Sequence, residues 1–158
     1  MPPGKKPLAC ERFFKVLGDR TRLRLLNLMN GQEICVCFLV EILGLPQPKI
    51  SRHLACLRQA GLVTVRREGK WMHYCIAGPS DDGTARLFKE ILAWLQEEKS
   101  MQADRARLAR ACCGSKHGAV PGDAPLPVCA RPWRPQDGAD MRRPDKRRAG
   151  AESRRRKR

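Results

Sequence analysis

The sequence predicts a mainly helical fold carrying one small β-hairpin, and three observations predict it. Apolar residues recur at helical spacing in four short segments before residue 61 and in one long segment after residue 84. A short glycine-containing turn joins the third and fourth of these segments. Between residues 62 and 76 the period changes to that of two paired strands.

Ala9, Cys10, Phe13, Phe14, Val16 and Leu17 fall in one arc at helical spacing, so the first element is an amphipathic helix. Gly18-Asp19 ends it, and Asp19 or Thr21 can cap the next. Leu23, Leu25, Leu26, Leu28 and Met29 make the second helix apolar over more than half its girth, which marks the buried centre of the core. Asn30-Gly31 breaks the chain. A third, short helix takes Phe38, Leu39, Ile42 and Leu43 and stops at Gly44, a residue suited to a helix C-terminus. Pro46-Gln47-Pro48 opens a fourth, whose inward stripe is Ile50, Leu54, Leu57 and Gly61.

Short helix, tight turn and second helix form the helix-turn-helix layout. Residues 62–67 read as a strand, Glu68-Gly69 as a turn and residues 70–76 as the returning strand. A basic-tipped hairpin in that place is a wing. The expected fold is therefore a winged helix-turn-helix with a long C-terminal dimerisation helix over residues 84–111. Leu87, Ile91, Trp94, Leu95 and Met101 give that helix more apolar surface than one small core covers, and a second copy of the chain would bury the remainder. Residues 1–111 are expected to form one DNA-binding and dimerisation domain. Residues 112–158, rich in Pro, Gly and Arg, are expected to be a disordered basic tail.

The chain has 158 residues and a formal charge of +16, which favours a polyanionic partner, nucleic acid or an anionic membrane. Residues 131–158 hold twelve Lys and Arg against four Asp and Glu, so the tail supplies half of the surplus and the folded part the rest. The tail reads as a nonspecific polyanion contact or as a plain solvated charge run. The longest apolar run, residues 34–40, is far short of the roughly 18 residues of a spanning helix. A cytoplasmic location is expected, where the eight cysteines serve as thiols, metal ligands or core rather than as disulfides.

Opposite the inward stripe of the fourth helix lie Lys49, Arg52, Cys56 and Gln59, with Gln47 and Ser51 at the end that enters a major groove. Gln pairs with adenine, Arg with guanine, and Ser bonds either base or phosphate. Arg66, Arg67 and Lys70 at the hairpin tip suit phosphate or minor-groove contact. His53, at the edge of the stripe, reads as a packed histidine rather than a base reader. Double-stranded operator DNA is the expected partner.

Four stretches resemble the arsenical-resistance repressors of the ArsR/SmtB winged-helix metalloregulators: Gly18-Asp-Arg-Thr-Arg-Leu, Glu33-Ile-Cys-Val-Cys-Phe-Leu, Gln47-Pro-Lys-Ile-Ser-Arg-His-Leu and Gly69-Lys-Trp-Met-His-Tyr. The similarity covers about residues 8–111 and is most specific over 33–75. It implies a homodimer that sits on its operator and leaves when As(III) or Sb(III) binds thiolates. Carried onto this sequence, Cys35 and Cys37 are the ligands, and Gln47, Ser51 and Arg52 are the DNA contacts first in line. Repressors of this type often have a third cysteine three residues after the second, where this chain has Val40.

Thiolates select soft metals, and the start of a helix favours thiolate over thiol. Residues two apart on a regular helix point about 200° apart, so Cys35 and Cys37 are expected to share an ion only if that turn unwinds, which would disturb the DNA-reading helix. Cys112 and Cys113 at the end of the long helix, and Cys10 on the first, are further candidate thiols. Residues 84–111 contain no histidine, which argues against the His-carboxylate sites of the family's zinc and nickel sensors. Sensing of Cd, Pb or Zn, or of thiol oxidation, through the same cysteines is the alternative. There is no phosphate loop, no Gly-x-Ser-x-Gly elbow and no carboxylate pair in an apolar setting, so no catalytic role is expected.

Overall fold

A computed structural model describes residues 9–113 and 124–129 of the chain. In chain order the elements are α1 (Ala9–Leu17), α2 (Arg20–Met29), β1 (Gln32–Cys35), α3 (Val36–Leu43), α4 (Gln47–Gln59), β2 (Val63–Glu68), β3 (Trp71–Ile76), α5 (Asp82–Glu97), α6 (Lys99–Cys113) and β4 (Val128–Cys129). The winged helix-turn-helix is α3, α4 and the β2–β3 hairpin.

Local chemistry sets the ends of these elements. Asp19 caps α2 by accepting the backbone N–H of Arg22 at 3.0 Å, and Asp81 caps α5 through the N–H of Thr84 at 2.9 Å. Gly44 closes α3 at φ 62°, a left-handed conformation that favours glycine, with its N–H on the Val40 carbonyl. Gly69 turns the wing at φ 57°.

The core follows the apolar stripes. Leu25, Leu26 and Leu28 of α2, Phe38 and Leu39 of α3, and Ile50, Leu54 and Leu57 of α4 are fully buried around one centre, joined by Phe88 of α5. Burying a Leu or Ile side chain contributes about 1.5–3 kcal/mol, so the inner face of α4 holds the outer face in place. Phe13 stacks edge-on against Phe88 at 6.1 Å, which sets α1 beside α5.

Three features depart from the sequence expectation. Residues 32–35 form a strand, which short length and mixed polarity concealed, and the sheet runs β2-β3-β1-β4, antiparallel throughout. The long helix is two helices. Glu98 breaks it with extended backbone, φ −70° and ψ 123°. α6 then folds back onto α2, where Asp104 accepts Arg24 Nε at 2.6 Å and Nη2 at 2.8 Å, and Asn27 Nδ2 donates to the Met101 carbonyl at 2.9 Å. Met101 and Leu108 thus join the interior instead of an open face.

The third departure concerns the tail expected to be unstructured from residue 112. α6 reaches Cys113, and Val128–Cys129 pairs with the free edge of β1, satisfying main-chain groups that an edge strand leaves open. Residues 114–123 and 130–158, with the tail's arginine runs, lie outside the described residues. Among the described residues no helix is long and apolar enough to cross a membrane.

Candidate thiol site and nucleic-acid interface

Cys35 is the last residue of β1 and the N-cap of α3, with extended backbone at φ −68° and ψ 142°. Cys37 lies in the first turn of α3. Because Cys35 stands outside the helix, its side chain does not follow helical spacing, and the Cys37 thiol donates to Cys35 Sγ at 2.7 Å. The expected 200° separation is therefore overturned. No turn has to unwind for both sulfurs to meet one ion. Both are free thiols, Cys35 buried and Cys37 half-buried.

The charge state also differs from expectation. Burial pushes the Cys37 thiol up to about 12, helped by its hydrogen bond to Cys35 and by the charge of that neighbour. The N–H groups of Phe38 and Cys37 act in the opposite direction and lose. The start of a helix favours thiolate, but a desolvated thiol with a sulfur neighbour stays protonated.

A soft ion takes thiolate ligands, and two adjacent sulfurs, one buried and one half-buried, fit such an ion. Since Cys37 is protonated below about pH 12, binding displaces its proton. Affinity for a soft divalent cation, which brings no hydroxide to take up the displaced proton, is thus expected to rise with pH, by about tenfold per unit for each proton released. Titrations of one ion between pH 6 and 9, followed by thiolate-to-metal absorption, measure that slope.

Among the described residues no group of three or more His, Cys, Asp and Glu side chains is placed to hold a metal ion. Cys10 is exposed on α1, and Cys112 is half-buried against the core. Cys113 is the last residue of α6. Neither Cys10 nor Cys112 joins the pair.

The outer face of α4 presents Gln47, Lys49, Arg52 and Gln59 to solvent, with Ser51 half-buried. Cys56 departs from the outward position expected of it. It is half-buried and accepts Arg22 Nη1 at 2.8 Å. His53 is packed as expected, with Nδ1 3.6 Å from Asp19 Oδ1.

The wing cations are less free than their sequence position implies. Arg67 Nε donates to the Gly69 carbonyl at 3.0 Å, and Lys70 Nζ lies 4.7 Å from the centroid of the Trp71 ring. Arg66 is engaged by two carboxylates, Glu33 of β1 and Glu68 of its own strand, which raise its pKa further. Sequence spacing assigns Glu33 and His73 no role of their own, because their partners stand across strands whose pairing through β1 is not visible in spacing.

Residues 19–65 match the arsR family of bacterial regulatory proteins. The arsenical resistance operon repressor of Escherichia coli K12 is 43% identical over 103 residues, covering 65% of this chain and 86% of that protein. The chain belongs to the arsR family. Arsenic resistance transcriptional regulator ArsR1 of Pseudomonas putida is 45% identical over 83 residues, 52% of this chain and 56% of that protein. A probable mercury resistance operon repressor of Streptomyces lividans is 40% identical over 77 residues, 49% of this chain and 62% of that one. The arsR match spans the thiol pair, the whole of α4 and the first residues of the wing. Membership makes the chain a transcriptional regulator with a DNA-binding helix-turn-helix.

Proposed function

We propose that this arsR-family chain is a repressor that holds double-stranded operator DNA as a homodimer and releases it when As(III) or Sb(III) binds Cys35 and Cys37. The observation that carries this reading is the contact of the two thiols at the joint between β1 and α3. β1 pairs with the wing strand β3, and α3 packs against α4, so an ion held there touches both DNA-reading elements at their supports. Gln47, Lys49, Ser51 and Arg52 are the assigned groove contacts, with Arg66, Arg67 and Lys70 on the wing. Relatives named for arsenic resistance support the choice of metalloid.

The dimer is assigned to α1 and α5. Phe14, Leu87 and Trp94 are 54%, 46% and 59% exposed, and the Phe13–Phe88 contact keeps their helices adjacent. Apolar surface of this kind on neighbouring helices marks a protein interface. Trp94→Arg is expected to give a monomer at micromolar concentration by sedimentation. Its operator affinity falls at least about tenfold, because a two-site grip becomes a one-site grip.

A soft divalent cation is the second reading. The relative named for mercury resistance favours it, and thiols take either guest. Thiol oxidation has less support, since oxidants attack exposed thiolates and Cys37 is held as a thiol. The test adds arsenite, mercuric or cadmium ion, and peroxide separately to a fluorescent operator complex. Absorption and operator anisotropy are followed together. Release by arsenite in step with sulfur–arsenic absorption is the expected result. Release by peroxide alone sinks the reading.

A further inference from the structure

Arg66, His73 and Cys35 stand in one register row across β2, β3 and β1. Alternation along a strand puts Glu33 and Glu68 on the same face of the sheet as that row. The opposite face carries Ile34, Val63 and Ile76 into the core. His73 is only 2% exposed, and Cys35 on the same face is wholly buried.

The cover is ionic. The Arg66 guanidinium crosses β3 to Glu33, with Nε donating at 3.2 Å, while Nη1 donates to Glu68 Oε2 at 2.6 Å. His73 Nδ1 lies 3.7 Å from Glu33 Oε1 and Nε2 lies 3.9 Å from Glu68 Oε2, so the imidazole sits between the same two carboxylates. Among the described residues, main-chain hydrogen bonds of the sheet connect β1 to β2 only through β3. The Glu33–Arg66 pair adds a direct connection, and it starts two residues upstream of Cys35 on the same strand and face.

We infer that the Glu33–Arg66 pair is the positioning link through which the wing reads occupancy of the thiol pair. The inference rests on the repressor reading above and adds the route of coupling. Neither residue ligates the guest. A ligand on Cys35 acts at the end of β1, Glu33 moves with that strand, and the wing cation that Glu33 holds is re-aimed relative to the DNA. A device of this kind requires two sites and one element whose position both bias, and the inference assigns that part to β1, which ends at Cys35 and holds Arg66 through Glu33.

The test uses the full chain and a fluorescent operator duplex, with and without arsenite, in Glu33→Gln, Arg66→Gln and the double variant. The quantity read is the ratio of operator Kd with arsenite to that without. Glu33→Gln is expected to bind arsenite as the parent does, by absorption, while the ratio falls about three- to tenfold. The double variant falls no further than the single ones, because both remove one link. Glu33→Asp recovers part of the ratio. An unchanged ratio in Glu33→Gln, with Arg66→Gln weakening both states equally, makes Arg66 a plain phosphate contact and overturns the inference. A parent complex that arsenite does not release is a distinct result, which overturns the repressor reading and this inference with it.

Discussion

Cys35→Ser is expected to bind the operator as the parent chain does and to ignore arsenite. The hydroxyl cannot become a soft anionic ligand near neutral pH, and the described residues offer no third group to take its place. Loss of even a supporting group around a metal typically costs 10–100-fold in affinity, so loss of a direct sulfur is expected to cost at least about a hundredfold. Operator anisotropy against arsenite concentration reads the effect. Because Cys35 is wholly buried, Cys37→Ser serves as the companion variant, with its sulfur half-buried and the same loss expected. Release of both variants at the parent's arsenite concentration removes the two sulfurs from the sensor role.

Arg24→Ala is expected to destabilise the fold by about 3 kcal/mol, the lower end for breaking a buried ion pair. The Asp104 side chain is 3% exposed and takes two hydrogen bonds from Arg24, whose own side chain is 24% exposed. Removing the arginine strands a carboxylate in the interior, with Arg107 at 3.8 Å the remaining cation in reach among the described residues. Partial access of water at Arg24 keeps the cost near the low end. Replacing both partners, Arg24→Met with Asp104→Leu, is expected to recover most of the loss, since no charge is then left unpaired. Urea midpoints of the three variants measure this. A single variant as stable as the parent would show that α6 is not held to α2 by this pair.

The elements legible in the sequence are those whose signals are local. The stripe Ile50, Leu54, Leu57 and the flanking Pro48 and Gly61 specify α4 without any distant partner, and they also place Gln47, Lys49 and Arg52 outward. The period change at residue 62 marks the wing equally well. β1 is not legible in the sequence, because four residues of mixed polarity become a strand only when β3 lies alongside. The break at Glu98 is hidden for a similar reason: nothing in residues 95–101 forbids a helix, and the bend follows from the partners that α6 finds on α2.

The same division runs through the site. The amino-acid order alone determined that two thiols stand at the start of the helix preceding a helix of the DNA-reading type, and that the chain is basic enough to seek a polyanion. Only the tertiary structure decided that the sulfurs touch, that one of them keeps its proton, and that Arg66 answers to Glu33. Spacing sets how far apart two residues are along a chain. Contact, dehydration and cross-strand pairing depend on which backbone conformation each adopts and on what folds over it, and those are settled by packing.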